Sequence, residues 1–98
     1  MHGEYKTQGG KLVQVDFDVF DDHLANAVVS GDFFLYPEEA LNEITDSLQG
    51  MPVTFDEIAI ANRVRDAIPE GVEWLGSSPE ALAIAVRRAL SSQSEANE

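Results

Sequence analysis

The chain has 98 residues, enough for one domain with a modest core and too few for an enzyme that must build several substrate pockets of its own. Its hydrophobic content of 44% is ordinary for a globular domain, no apolar run approaches the roughly 18 residues of a membrane span, and the absence of cysteine excludes disulfides, thiolate metal ligands and a thiol nucleophile. Eighteen acidic residues against six basic ones leave a formal net charge of -12, which excludes nucleic acid as a partner because a phosphate backbone requires clustered positive charge.

The N-terminus MHGEYK lacks the apolar segment of a secretory signal, so a cytoplasmic location is expected. A short strand is expected over Glu4 to Thr7, turning through Gln8, Gly9 and Gly10. From Val13 the alternation is clean: Val13, Val15, Phe17 and Val19 share one face, and Gln14, Asp16 and Asp18 the other, the period of a half-buried strand. Asp21, Asp22 and His23 supply a turn, and Leu24 opens a return strand on which Ala27, Val29, Gly31 and Phe33 share a face. Phe34 and Leu35 break that alternation, which places a bulge or bend near Gly31.

Helical signals begin at Tyr36. Pro37 suits a first helical position, Glu38 and Glu39 complement the helix dipole, and Leu41, Ile44 and Leu48 recur at helical spacing until Gly50. For the second helix, Thr54 to Glu57 fits a capping box, Val53 is placed to staple onto Ile58, and Ile60, Val64, Ala67 and Ile68 continue an apolar stripe to Pro69. After the turn-rich GVEWLGSS, Ser78 and Pro79 open a third helix whose Leu82, Ala85, Val86, Ala89 and Leu90 form one stripe. Strands first and helices after predict an α+β fold: a three-stranded antiparallel β-meander followed by about three helices packed on one face. One domain is expected over residues 1–90, with a disordered tail over 91–98.

Few motifs carry chemistry. Gly9-Gly10-Lys11 fails as a phosphate-binding P-loop, because Tyr5 stands where the first glycine belongs, Leu12 replaces the Ser or Thr, and a strand follows instead of a helix. It reads as a tight turn, with Lys11 left to meet an anionic ligand supplied by a partner. Asp46-Ser47-Leu48 resembles the phosphopantetheine site of an acyl carrier, yet carriers are all-helical and place that serine at the start of a helix. His2 and His23 stand without metal-ligand spacing, so no metal site is expected. Asp16 with Asp18, and Asp21 with Asp22, lie where solvated carboxylates normally sit, and no catalytic residue is assigned. Trp74 and Leu75, in a Gly-bounded loop, either pin the third helix or mark a contact surface. Two explanations of the acidity remain open: a surface suited to high salt, or a patch that docks a basic partner.

From Tyr5 to Leu90 the order of features resembles the accessory domain, or separate small subunit, of a bipartite lipoate-protein ligase. The resemblance rests on GGKLVQVD and SGDFFLYPEEAL, with weaker support from IPEGVEWLGSSPEALA. It implies a non-catalytic subunit, inactive alone, that forms a heterodimer with a catalytic subunit and supports its ATP-dependent activation of lipoate to lipoyl-AMP for protein lipoylation. It further implies that ATP, Mg and lipoate are held in the assembled ligase and not by this chain alone, and that lipoyl carrier domains are served indirectly. A chain of this length looks like the separate subunit. The fold implied is shared with iron-sulfur scaffolds, whose role needs the cysteines absent here. Candidate partner-interface or substrate-proximal residues are Lys11, Asp32, Phe33, Phe34 and Tyr36. Phe33 and Phe34 cannot both face the core from a regular strand, so either one is a partner anchor or a bulge buries both. The alternative to a ligase subunit is a small acidic adapter, or a carrier modified on Ser47.

Overall fold

A computed structural model describes residues 1–96, with side chains described through residue 91. Strands β1 (His2–Lys6), β2 (Leu12–Phe20) and β3 (His23–Gly31) form an antiparallel sheet in the order β1-β2-β3, the expected meander. The first strand begins at His2, ahead of the expected Glu4. The alternation along β2 is realised: Val13, Val15 and Phe17 are buried, Val19 is half-buried, and Asp16 and Asp18 are exposed. Each buried apolar side chain of this size contributes about 1.5–3 kcal/mol.

Asp21 and Asp22, with φ of 52° and 61°, make a two-residue hairpin turn of the kind whose twist matches its strands. The bulge lies at Asn26, while near Gly31 the chain bends, at Asp32, and leaves the sheet. Asp18 faces Ala25 and Asp16 faces Val28, so Asn26 and Ala27 together oppose Phe17. Asn26 takes φ 54°, a left-handed conformation that asparagine tolerates, and its side-chain amide donates to the Asp18 carboxylate at 3.1 Å. This extra residue turns Leu24, Ala27 and Val29 all toward the core, a set that strict alternation cannot supply.

The strand after Gly31 belongs to a second sheet. β4 (Phe34–Tyr36) pairs antiparallel with β5 (Glu73–Leu75), setting Phe34 against Leu75, Leu35 against Trp74 and Tyr36 against Glu73. Pro37 therefore does not open a helix: Tyr36 is still held in a strand, the Tyr36–Pro37 peptide is cis, and α1 runs only over Ala40–Leu48. Three successive i→i−3 bonds, from the amides of Ala40, Leu41 and Asn42 to the carbonyls of Pro37, Glu38 and Glu39, wind the chain into it. Gly50, at φ 73°, follows the helix as expected of a terminating glycine.

Helix α2 spans Glu57–Ala67, and its N-cap is Asp56, whose carboxylate accepts from the Ala59 amide at 2.8 Å. The expected Thr54 capping box does not form. Asp56 holds the extended cap conformation one residue before the helix, which leaves Thr54 exposed outside it, and Ile58 is 73% exposed and is no staple for Val53. Helix α3 (Pro79–Ala96) starts as expected, with Ser78 Oγ accepting from the Ala81 amide at 3.1 Å. It runs past Leu90 to Ala96, within the span where a disordered tail is expected. Residues 97 and 98 of that expected tail lie outside the described residues.

α3 packs on β1 and β2, α1 on β3, and α2 on α1 and α3, so the helices share one face of the meander. Between the layers Val13, Val15, Ile44, Leu48, Ile60 and Leu82 are fully buried. Gly3 permits the closest approach, since a Cβ there would lie 2.1 Å from the Ala85 carbonyl oxygen. No described helix is long and apolar enough to cross a membrane.

Candidate functional site

The exit from β3 builds the most distinctive surface. In a strand successive side chains point to opposite faces. On β4 this sends Leu35 inward, to 6% exposure, and leaves Phe34 and Tyr36 outward at 59% and 56%. Leu75, directly across from Phe34, is 49% exposed and widens the apolar face. Phe33 turns the other way: it is half-buried against the core, with its ring centroid 5.5 Å from that of Trp74 at a 60° tilt. Of the two sequence alternatives, no bulge buries both: Phe33 is half-buried and Phe34 is left out.

A groove of about 360 Å³ runs between β3, β4 and the start of α1, lined by Val29, Gly31, Phe33, Phe34, Tyr36 and Leu41 among others, with Glu38 the one charged lining residue. The structure thus brings Phe33, Phe34 and Tyr36 together. Lys11 and Asp32 stand off the groove. Asp32 is exposed just after β3, its amide bonded to the Leu12 carbonyl at 3.0 Å. Lys11 is exposed beside Gly76, whose carbonyl accepts its amide at 2.8 Å and whose missing side chain makes room for the lysine stem. Val29, Glu38 and Leu41 were missed as groove residues, and Leu75 as part of the apolar face beside Phe34, because their proximity depends on where β4 runs and on its pairing with β5. The Gly-bounded placing of Trp74 and Leu75 was the one signal for it.

The other motifs resolve structurally. Gly9 takes φ 75° and the Gly10 amide bonds the Thr7 carbonyl at 2.8 Å, a tight turn. Ser47 sits in the last turn of α1, where its hydroxyl donates to the Ile44 carbonyl at 2.5 Å and its own carbonyl accepts from Arg63 Nε, an arrangement unlike a carrier serine. Asp16 bonds the His2 ring at 2.8 Å on the open face of the sheet. That bond first, and a second to Glu4, hold the His2 pKa above its ordinary value of 6.5. The arginines are committed to scaffolding: Arg87 donates to the Val53 and Phe55 carbonyls, Arg65 pairs with Glu80, and Arg88 lies 4.9 Å over the Tyr5 ring.

Comparison with known proteins gives the family. The chain is 32% identical over 76 residues to lipoate-protein ligase A subunit 2 of Thermoplasma acidophilum, covering 78% of this chain and 77% of that one. It belongs to the lipoate-protein ligase A subunit 2 family. Its role is that of an accessory subunit in protein lipoylation. A chain in the solved structure of an archaeal lipoylation system from the same organism, a bi-partite lipoate protein ligase with its E2 lipoyl domain, superposes with a TM-score of 0.72 and 29% identity over 89% of this chain and 93% of that chain. No family model matches. The accessory subunit fold is thus the α+β arrangement expected from the sequence, with the β4–β5 ribbon added to it.

Proposed function

We propose that this chain forms a heterodimer with a separate catalytic lipoate-protein ligase subunit and supports ATP-dependent activation of lipoate to lipoyl-AMP within it. The observation that carries this is the extent of the structural likeness: nearly the whole chain superposes on nearly the whole of one chain of a two-part ligase system. The surface described above is consistent with a docking role, since Phe34, Tyr36 and Leu75 expose a joined apolar face.

The chemical reason for such a subunit lies in the intermediate. Lipoyl-AMP is a mixed anhydride that water destroys, and its formation needs the lipoate carboxylate held against the α-phosphate. A second body closing over the catalytic subunit excludes water and restricts the reactants' motion, both of which lower the barrier. In this proposal ATP, Mg and lipoate are held in the assembled ligase, this chain supplies no catalytic group, lipoyl carrier domains are reached through the catalytic subunit, and the assembly works in the cytoplasm.

Pyrophosphate release from ATP in the presence of lipoate tests the proposal. The full chain alone is expected to release none, and adding it to the catalytic subunit is expected to raise that subunit's rate. Pyrophosphate release by this chain unaided, or a catalytic subunit indifferent to its presence, overturns it.

A further inference from the structure

Of the six large apolar side chains left well exposed among the described residues, three stand on one face of the β4–β5 ribbon. Phe34 lies directly across from Leu75, and Tyr36 across from Glu73 on the same side, because residues paired across an antiparallel ribbon share a face and residues two apart return to it. The other three, Phe20, Val28 and Ile58, are spread over β2, β3 and α2. Two strands of three residues cannot hold such a face by themselves. Here the inward side fixes it: Leu35 is buried and Trp74 packs on Phe33. Phe34, Tyr36 and Leu75 are thus presented on a ribbon already ordered, and a partner meeting them forfeits little conformational freedom.

The surroundings of this face select its occupant. Glu73 stands on the face itself, Glu38 lines the groove at its side, and Glu39, Glu43 and Glu70 line a hollow between the start of α1 and the turn before β5. Among the described residues none of these carboxylates has an ion-pair partner. The arginines are tied to other parts of the fold, and Lys11 stands beyond the opposite, Leu75 end of the ribbon, beside Gly76. A second copy of this chain is therefore a poor occupant, since it would set the same carboxylates, and a net charge of -12, against their equals. Three side chains also fall short of the roughly 800 Å² per partner of a stable protein interface, so whatever covers them must extend over the carboxylates as well. We infer that this face docks the catalytic subunit, through a patch on that subunit whose apolar centre meets Phe34, Tyr36 and Leu75 and whose lysines or arginines, along one side, meet Glu73, Glu38 and the acidic hollow. The inference rests on the proposed heterodimer and adds its location and its charge pattern.

The test uses the full chain with its catalytic subunit, affinity measured by calorimetry and association rate by stopped flow. Phe34→Ser and Leu75→Ser are each expected to weaken the complex by at least about tenfold. Phe34→Ser should leave the melting temperature of the free chain unchanged, because that side chain points away from the core. Ile58→Ser, which removes a still more exposed apolar side chain from α2, is expected to bind as the wild type does. Glu73→Lys is expected to slow association at least about threefold at low salt and to flatten its dependence on salt, since opposite charges steer the encounter. Wild-type affinity in the Phe34 and Leu75 variants, an equal loss in Ile58→Ser, or undiminished association in Glu73→Lys overturns the inference and leaves the heterodimer standing. So does a free chain that sediments as a dimer broken by Phe34→Ser, which gives the face to a second copy. No complex at all overturns both.

Discussion

Gly3→Ala tests the contact on which the two layers close. An added Cβ would lie 2.1 Å from the Ala85 carbonyl oxygen, 2.7 Å from the Ala89 amide nitrogen and 2.8 Å from the Ala89 Cβ, none of which can rotate aside. Restoring ordinary van der Waals separation of about 3.5 Å requires α3 to retreat from β1 by roughly 1.4 Å at Ala85. The stripe that would lift with it includes Ala81, Leu82, Ala85, Val86 and Ala89, all buried. Overpacking of this kind costs about 1–3 kcal/mol, and the reduced freedom of the unfolded chain returns about 0.4–1 kcal/mol. At about 4–8 °C per kcal/mol for a domain of this size, a mid-range net loss of about 1.3 kcal/mol lowers Tm by roughly 5–10 °C. Thermal unfolding followed by circular dichroism, at matched salt and pH, gives the comparison. An unchanged or raised Tm refutes the packing argument. So does an intact Tm accompanied by fast amide exchange over residues 3–5, which would mean that β1 peels away and contributes little to the core.

Capping separates the structure from the sequence expectation: Asp56→Ala should cost about 1 kcal/mol in urea unfolding, while Thr54→Ala should stay within about 0.5 kcal/mol, and the reverse ranking would restore the Thr54 box. Gln49→Ala removes both hydrogen bonds to Ala27 and should destabilise the chain by about 1–3 kcal/mol while speeding exchange of the Ala27 amide; stability equal to wild type would mean that water replaces the side chain without loss. His2 should titrate by NMR above 6.5, and its raised folded pKa gives a small stabilisation that is complete below the unfolded value and lost as pH rises through the folded one. In Asp16→Asn its midpoint should fall, and a midpoint that stays put would place the cause elsewhere. With a net charge of -12, Tm should climb between low and molar KCl as a Debye length of ~3 Å screens self-repulsion; a flat response would favour a localised acidic patch over a surface suited to salt.

The sequence alone determined what local periodicity and local chemistry determine. The alternation from Val13 to Val19 set the β2 face, the Asp21–Asp22 pair set the hairpin turn, and Ser78-Pro79 set the start of α3, because each depends on residues within a few positions of one another. The meander and its order before the helices followed. Only the tertiary structure decided where the elements meet across long separations. Tyr36 stays in a strand because Glu73, distant in sequence, pairs with it, and that pairing displaces the start of α1 to Ala40. The bulge at Asn26 rests on its register against Phe17, and the N-cap at Asp56 on where the chain from Met51 leaves the β3 edge. For the site, the sequence marked Phe33, Phe34 and Tyr36 by their crowding. Which phenylalanine turns outward was settled by the ring of Trp74 and the strand pairing that holds it, and the β3 edge at Ala27 is closed by Gln49 from a distant position in the chain. Hydrogen-bond partners brought together by folding leave no periodic trace in either segment.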